Sequence, residues 1–553
     1  MNKNTDKKQN RIVELFVEIS LQKQWNENSL NKILRRYKDK NGKILRNDQL
    51  VKKFTTIKNR FSQKQKEVIK KRIRLKPTRT NSGVAVVTVM TKPFYCPGNC
   101  IFCPNDRSMP KSYIASEPGS QRALKMKFDP YAQVFNRLVA LKNVGHNIEK
   151  VEIIVLGGTF SVYDGNYKIW FVKECFRALN RVKKSTKRYV EPRDLPEEKT
   201  DWEDLEKEQV KNETAYCRNV GFVVETRPDF LSVGELIYLR RLGCTKIQIG
   251  IQSLSEKVLR ENETGRNNED TKKAFELLRL FGFKIHGHWM PNLYLSTPKE
   301  DVRGYRELFT EAYCPDEMKI YPTSVIPNTE LYDLYKEGKF KPYDEKTLVK
   351  VVGDCMSSTP RYCRLSRVIR DIPSNEIAAG NKKTNLRQIV EEYLRKKSIK
   401  LEDIRSREIK GEEITKEDIK LEKITYKTST GTEIFLSYKT KRDDKICGFL
   451  RLSLPKKKLS KNHKLEELQN SSIIREVHVY GKVVGIDKKS NEGESQHLGL
   501  GKELIKLAED ISKKKGFNKI SVISAIGTRE YYKKLGFKKG ELYMRFMNPL
   551  KNK

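Results

Sequence analysis

Between residues 81 and 375, six short runs of β-forming residues recur with helical patterns between them. The runs are GVAVVTVM (83–90), KVEIIVLGG (150–158), GFVVETRP (221–228), KIQIGIQS (246–253), FKIHGHWM (283–290) and EMKIYPT (317–323). Strands separated by helices return by crossovers, so the sheet they build is parallel. Spacing this regular predicts an α/β fold with a full or partial (β/α) barrel, whose chemistry sits at the C-terminal ends of the strands. Residues 184–211 are highly charged and nearly lack apolar side chains, and read as a surface insertion in that barrel.

The flanks have a different character. Residues 1–80 carry 24 Lys/Arg against 7 Asp/Glu, with Ile12, Leu15, Phe16 and Ile19 at helical spacing and a second pattern after Ser29. This predicts a small basic helical module ending in the cationic tail KKRIRLKPTRT. Residues 376–420 are charged and helical and read as a connector. Residues 421–553 form a second α/β unit: three strands, the glycine turn QHLGLG (496–501), the helix KELIKLAEDISKKKG, a strand, the short helix REYYKKLGF and a last strand.

The 553-residue chain bears a net charge of +41, which points to a polyanionic partner such as nucleic acid. No apolar run approaches the roughly 18 residues of a spanning helix. Glu14 and Glu18 interrupt the first apolar stretch, so it does not read as a signal peptide. Ten cysteines are too sparse for a disulfide scaffold. The expected compartment is therefore reducing and cytoplasmic, and clustered cysteines read as metal ligands.

The cluster is CPGNCIFC, with Cys96, Cys100 and Cys103 just after the first barrel strand. Three close thiolates can hold three irons of a cubane and leave the fourth open. An open iron can chelate the amino and carboxylate groups of S-adenosylmethionine. A structural zinc usually closes with four ligands, and no fourth is adjacent. This arrangement resembles the radical S-adenosylmethionine superfamily. Gly157, Gly158 and Thr159 end the second strand, Glu225, Thr226 and Arg227 a later one, and Gln248, Gln252 and Ser253 flank another, where that superfamily places ligand-facing groups.

QHLGLG has the form Q-x-x-G-x-G between a strand and a helix, where backbone N–H groups can approach a pyrophosphate. Alone the motif is weak. With a strand before it and REYYKKLGF after it, the segment resembles the GNAT acetyltransferases, which bind acetyl-CoA. In that family the preceding strand, here Glu476, Val477, His478 and Val479, splays from its neighbour to receive the pantetheine arm. Tyr531 and Tyr532 would lie near the thioester. Alternation along 476–480 also suits an ordinary half-buried strand.

The ordered segments RTNSGVAVVTVMTKP, VEIIVLGGTF, VETRPD, IQIGIQS, RDIP, REVHVYG and GTREYYKKLGF resemble the Elongator catalytic-subunit family across about the whole chain. That resemblance implies a tRNA-modifying enzyme with a [4Fe-4S] cluster. It would make 5-carboxymethyluridine at wobble position 34 from acetyl-CoA, using S-adenosylmethionine. It implies acetyl-CoA contacts at Lys150, Glu476 to Val479, Leu500, Gly501, Lys502 and Tyr532. It also implies cluster ligation by Cys96, Cys100 and Cys103. Glu476 or His478 would orient the hydrolytic water, and Tyr531 or Tyr532 would polarise the thioester. The chain departs from many members in its three-residue gap between the first two cysteines. It also lacks a cysteine near LEDIRSREIK, so Cys314, Cys355 and Cys363 read as buried thiols in place of a second metal site. Two rival readings share these motifs: a protein lysine acetyltransferase with a structural cluster, and a non-catalytic tRNA-binding scaffold. Sequence leaves open the isoacceptors, the electron donor and any further subunits or self-association.

Overall fold

The computed structural model describes residues 3–26, 28–38, 42–74, 82–194, 200–409, 414–480 and 499–547. Most of the cationic tail (75–80) and the first half of QHLGLG (496–498) lie outside them. Seven parallel strands run in sequential order through the first sheet: β1 (Ala85–Met90), β2 (Lys150–Leu156), β3 (Arg218–Thr226), β4 (Lys246–Gln252), β5 (Lys284–Trp289), β6 (Glu317–Ile320) and β7 (Arg364–Arg367). β1 and β7 do not pair, so the sheet is an open barrel. Six strands match the expected runs. β7 is added by the structure, and its sequence RLSR has one apolar side chain in four.

Helices coat the convex face and supply its core. Asp129 caps the helix Pro130–Asn143 and Asp164 caps Gly165–Arg181, each through its carboxylate. Phe171, Phe176 and Leu179 of the second helix are fully buried, each stabilising by about 2 kcal/mol. Within the expected surface insertion, helix Trp202–Asn212 packs on the wall instead, burying Leu205, Gln209 and Asn212. Helix Leu386–Lys396, in the expected connector, buries Leu386, Val390 and Leu394 and packs on helix Glu345–Ser357. Both belong to the barrel wall because a few well-spaced side chains suffice to seat a helix.

The concave face is unusual. Buried parallel strands normally read as continuous apolar runs. Here alternate residues are polar and meet across the lumen. Lys246 of β4 reaches Glu152 of β2 at 2.9 Å and Glu317 of β6 at 3.3 Å. His286 of β5 shares a 2.8 Å hydrogen bond with Ser366 of β7. One layer higher, Gln248 of β4 accepts from His288 of β5 at 3.1 Å and from Lys319 of β6.

The second sheet has order β13-β14-β12-β11-β10-β9-β8, with β8 (Ile419–Thr428), β9 (Gly431–Thr440), β10 (Ile446–Pro455), β11 (Ser471–Val479), β12 (Lys519–Val522), β13 (Lys538–Lys539) and β14 (Met544–Met547). Only β11 and β12 are parallel neighbours. β8 was not expected, since IKLEKITYKT alternates charge with half-buried side chains. The N-terminal helices Lys3–Leu21, Ser29–Leu34, Asn47–Ile57 and Gln63–Ile73 close over their own small core, centred on Phe16, Phe54 and Phe61. Arg74 ties this module to the barrel through Gly145 O at 3.1 Å. Among the described residues no helix is long and apolar enough to cross a membrane.

Candidate functional site

The three cysteines sit on the loop that leaves β1 at the barrel mouth. Cys103 N donates to Cys100 O at 2.9 Å, and Cys96 Sγ lies 3.6 Å from Thr159 Oγ1, just past the Gly157–Gly158 end of β2. The loop is held against cations. The Arg227 guanidinium lies so close over Gly98 that any Cβ there would collide with it. Arg227 also donates to Thr264 O at 2.8 Å and pairs with Asp229 at 2.8 Å. Arg266 donates to Ile251 O at 2.7 Å and forms no ion pair among the described residues. Burial lowers its pKa to about 10, opposed first by the charge of Cys100.

These residues fit an anionic iron–sulfur cluster. Burial pushes the Cys103 thiol up to about 12, with neighbouring Cys100 adding to the rise. Such a thiol becomes a thiolate only when a metal takes its proton's place. Among the described residues no three His, Cys, Asp or Glu side chains group as donors of one ion. A closed zinc site needs such a group, whereas a cubane gives each cysteine its own iron. Cys314, Cys355 and Cys363 are separately buried free thiols.

Below the loop a cleft of about 580 Å³ opens into the lumen, lined among others by Cys103, Tyr113, Glu225, Gln252, His288 and Lys319. Tyr113 donates to Glu225 at 2.7 Å. Burial, then the Lys319 ammonium, holds His288 well below its ordinary pKa, so it is neutral. His288 and Lys319 were absent from the expected set. Their signal lay in the polar alternation of KIHGHW and EMKI.

The C-terminal domain covers the opposite end, the barrel floor. β11 pairs with β12 only from Ser471 to Ile474, while it follows β10 as far as Val479. The strands therefore part after Ile474, and among the described residues no strand pairs with one edge of 475–479. The parting coincides with a bulge: Arg451 opposes Glu476, Leu452 opposes Ile474, and Arg475 is the extra residue. Because of it, Arg475 and Glu476 both reach the barrel. Arg475 donates to Asp316 at 2.6 and 2.7 Å and to Phe283 O at 3.0 Å. Glu476 accepts from Lys284 at 2.8 Å and from Arg451 at 2.9 Å.

The remaining expected residues separate by environment. Burial alone would raise the Glu476 pKa, but Lys284 and Arg451 outweigh it and hold the carboxyl far down. Both its oxygens are occupied, so it is a clamp and a poor base. His478 is kept neutral: burial lowers it to about 4, and its buried Nε2 has no partner among the described residues. Helix Leu500–Lys514 starts after Gly499, with Leu500 buried and Lys502 exposed. The Tyr531 hydroxyl stands 2.8 Å from where a Cβ of Gly501 would be, beside Val479, and Tyr531 is 42% exposed. Tyr532 turns inward onto Phe537. The structure thus brings Val479, Gly501 and Tyr531 together and sends Tyr532 to the core. Lys150 begins β2 beside Arg218, onto which the Gly527 turn of the C-terminal domain packs.

Three family models match: the Radical SAM superfamily over residues 91–300, the Radical SAM C-terminal domain over 315–396, and the Acetyltransferase (GNAT) family over 399–537. A tRNA uridine(34) acetyltransferase of Methanocaldococcus infernus is 38% identical, covering 87% of this chain and 89% of its own. The Elongator complex protein 3 of Homo sapiens is 33% identical, covering 87% of each chain. The solved structure of the archaeal Methanocaldococcus infernus Elp3 with its N-terminus (1–46) deleted superposes with a TM-score of 0.69 at 35% identity, over 84% of this chain and 99% of that one.

Proposed function

The chain belongs to the family of tRNA uridine(34) acetyltransferases and Elongator complex protein 3, and we propose that it converts the wobble uridine of tRNA to 5-carboxymethyluridine with acetyl-CoA as the carbon source. It is an acyltransferase of the radical S-adenosylmethionine type. The observation that carries this reading is that one barrel has a three-thiol loop at its mouth and a parted, GNAT-type strand pair at its floor.

Cys96, Cys100 and Cys103 would hold the cluster, with Arg227 and Arg266 offsetting its negative charge. When bound, the cluster and S-adenosylmethionine supply a 5′-deoxyadenosyl radical able to take hydrogen from the acetyl methyl group. Val477 and Val479 would pair through their backbone with the pantetheine arm, and Leu500, Gly501 and Lys502 would receive the pyrophosphate. Lys150 would approach the same ligand from the barrel side. The Tyr531 hydroxyl would donate toward the thioester, a role that buried Tyr532 is badly turned to fill. Neutral His478 would take the proton of the water that hydrolyses the thioester after carbon–carbon bond formation. The basic N-terminal module would grip tRNA phosphates, so affinity would fall steeply with salt. The splayed bases of an anticodon loop would enter at the cleft.

The test is anaerobic reconstitution with iron and sulfide, then dithionite, S-adenosylmethionine, acetyl-CoA and bulk tRNA, with nucleosides read by mass spectrometry. Carboxymethyluridine should form and should vanish with Cys100→Ala. His478→Ala should slow its release by about a hundredfold. Absence of product, with acetyl-lysine appearing on added basic protein, would replace this reading by the lysine acetyltransferase one.

A further inference from the structure

We infer that Lys284, a barrel residue, is a positioning residue for the acyl-CoA site of the C-terminal domain. This rests on the reading that the parted β11 segment receives acetyl-CoA. Once β11 leaves β12, residues 475–479 keep a backbone partner, among the described residues, only on the β10 side. Side-chain anchors must then set how far the strand end stands off.

Two anchors exist, side by side at the bulge. Arg475 is fixed on Asp316. Glu476 is fixed from both sides, by Arg451 of its own sheet and by Lys284 of β5. Lys284 is itself held by the barrel. It is the first residue of β5, its N donates to Thr245 O at 3.1 Å, and its ammonium also lies 4.0 Å from Glu317. Its side chain is 15% exposed, so its charge is little screened. Lys284 therefore ties the second residue of the free segment, Glu476, to the barrel wall, two residues before His478. Losing it leaves Glu476 half-paired and lets the segment relax toward β12, narrowing the gap.

The role predicts a split that a general packing role would not produce. Removing the ammonium should weaken acetyl-CoA binding at the floor and spare S-adenosylmethionine at the mouth. On the reconstituted full-length enzyme, titration calorimetry with acetyl-CoA should show Kd raised about tenfold or more by Lys284→Met. The yield of 5′-deoxyadenosine without acetyl-CoA should stay within twofold of the parent. Lys284→Arg, which keeps a cation, should recover binding to within about threefold. If Lys284→Met does not fold, Lys284→Gln takes its place under the same threshold. Unchanged acetyl-CoA affinity, or equal losses at both ligands, would overturn the inference. Failure of the parent enzyme to bind acetyl-CoA would instead overturn the functional reading on which it rests.

Discussion

The two ends of the barrel lumen are both charged, and they use charge in opposite ways. At the floor the buried ions are paired. Asp316, fully buried, faces Arg475 at 2.6 Å, Arg279 at 3.5 Å and Arg451 at 3.6 Å. Glu317 has Lys246 at 3.3 Å, and Glu476 has Lys284 at 2.8 Å. At the mouth, Arg266 has only neutral hydrogen-bond partners among the described residues, and the Gln252 amide oxygen is buried without a donor. Saturated charge fixes a structure, whereas unsatisfied polar groups mark where a ligand completes it. The paired ions of the floor thus join the two domains, and the unsatisfied groups mark receptor sites, Gln252 at the mouth and the His478 Nε2 beside the joint.

The comparison breaks most visibly at Asp316. Asp316→Ala removes the carboxylate that three buried guanidinium groups share, leaving them only Glu433 and Glu476, and should cost about 3–5 kcal/mol, read as an earlier midpoint in guanidinium unfolding. Acid probes the same joint. Burial opposes ionisation of Glu317 and Glu476, but their cations prevail and bring both to about 2. A carboxylate held below its unfolded value near 4.3 stabilises fully above that pH and loses the effect as pH falls toward 2. The seam between the domains should therefore open between about pH 4 and 2 and be indifferent from 5 to 8. Buried Trp289, on the same strand as Lys284 and His286, reports it by fluorescence. The smallest effect on stability belongs to the mouth. Arg266→Met should leave the unfolding midpoint within about 0.5 kcal/mol, while 5′-deoxyadenosine yield falls roughly tenfold.

The fold was legible where one residue run carried its own signal. β1 to β6 announce themselves by apolar alternation, and CPGNCIFC by spacing alone. β7 and β8 were hidden because RLSR and IKLEKITYKT take their strand character from neighbours, a tertiary effect that local propensity does not record. Helix Trp202–Asn212 was misread for the same reason: Leu205 is its fully buried anchor in a charged sequence. At the site, the thiols and the Gly501 turn were readable, whereas the pairing of Glu476 was not. Its partner Lys284 is 192 positions away, and no spacing rule links residues so far apart. The inward polar groups His288 and Lys319 were visible as alternation within two barrel strands, but alternation alone does not say which face of a parallel strand is the lumen.

The extra residue at Arg475 also bears on how such a protein can be altered. Domains that touch through a solvent-filled seam can be exchanged like parts. Here a single inserted backbone unit turns two consecutive side chains of one domain into the other's interior ions. Replacing the C-terminal domain by a homologous one that lacks the Arg-Glu pair would take from Asp316 and Lys284 their shortest ion pairs. Replacing the barrel would strand the pair. A chimera that keeps these ion pairs has to carry four residues, Arg475, Glu476, Asp316 and Lys284, across the seam.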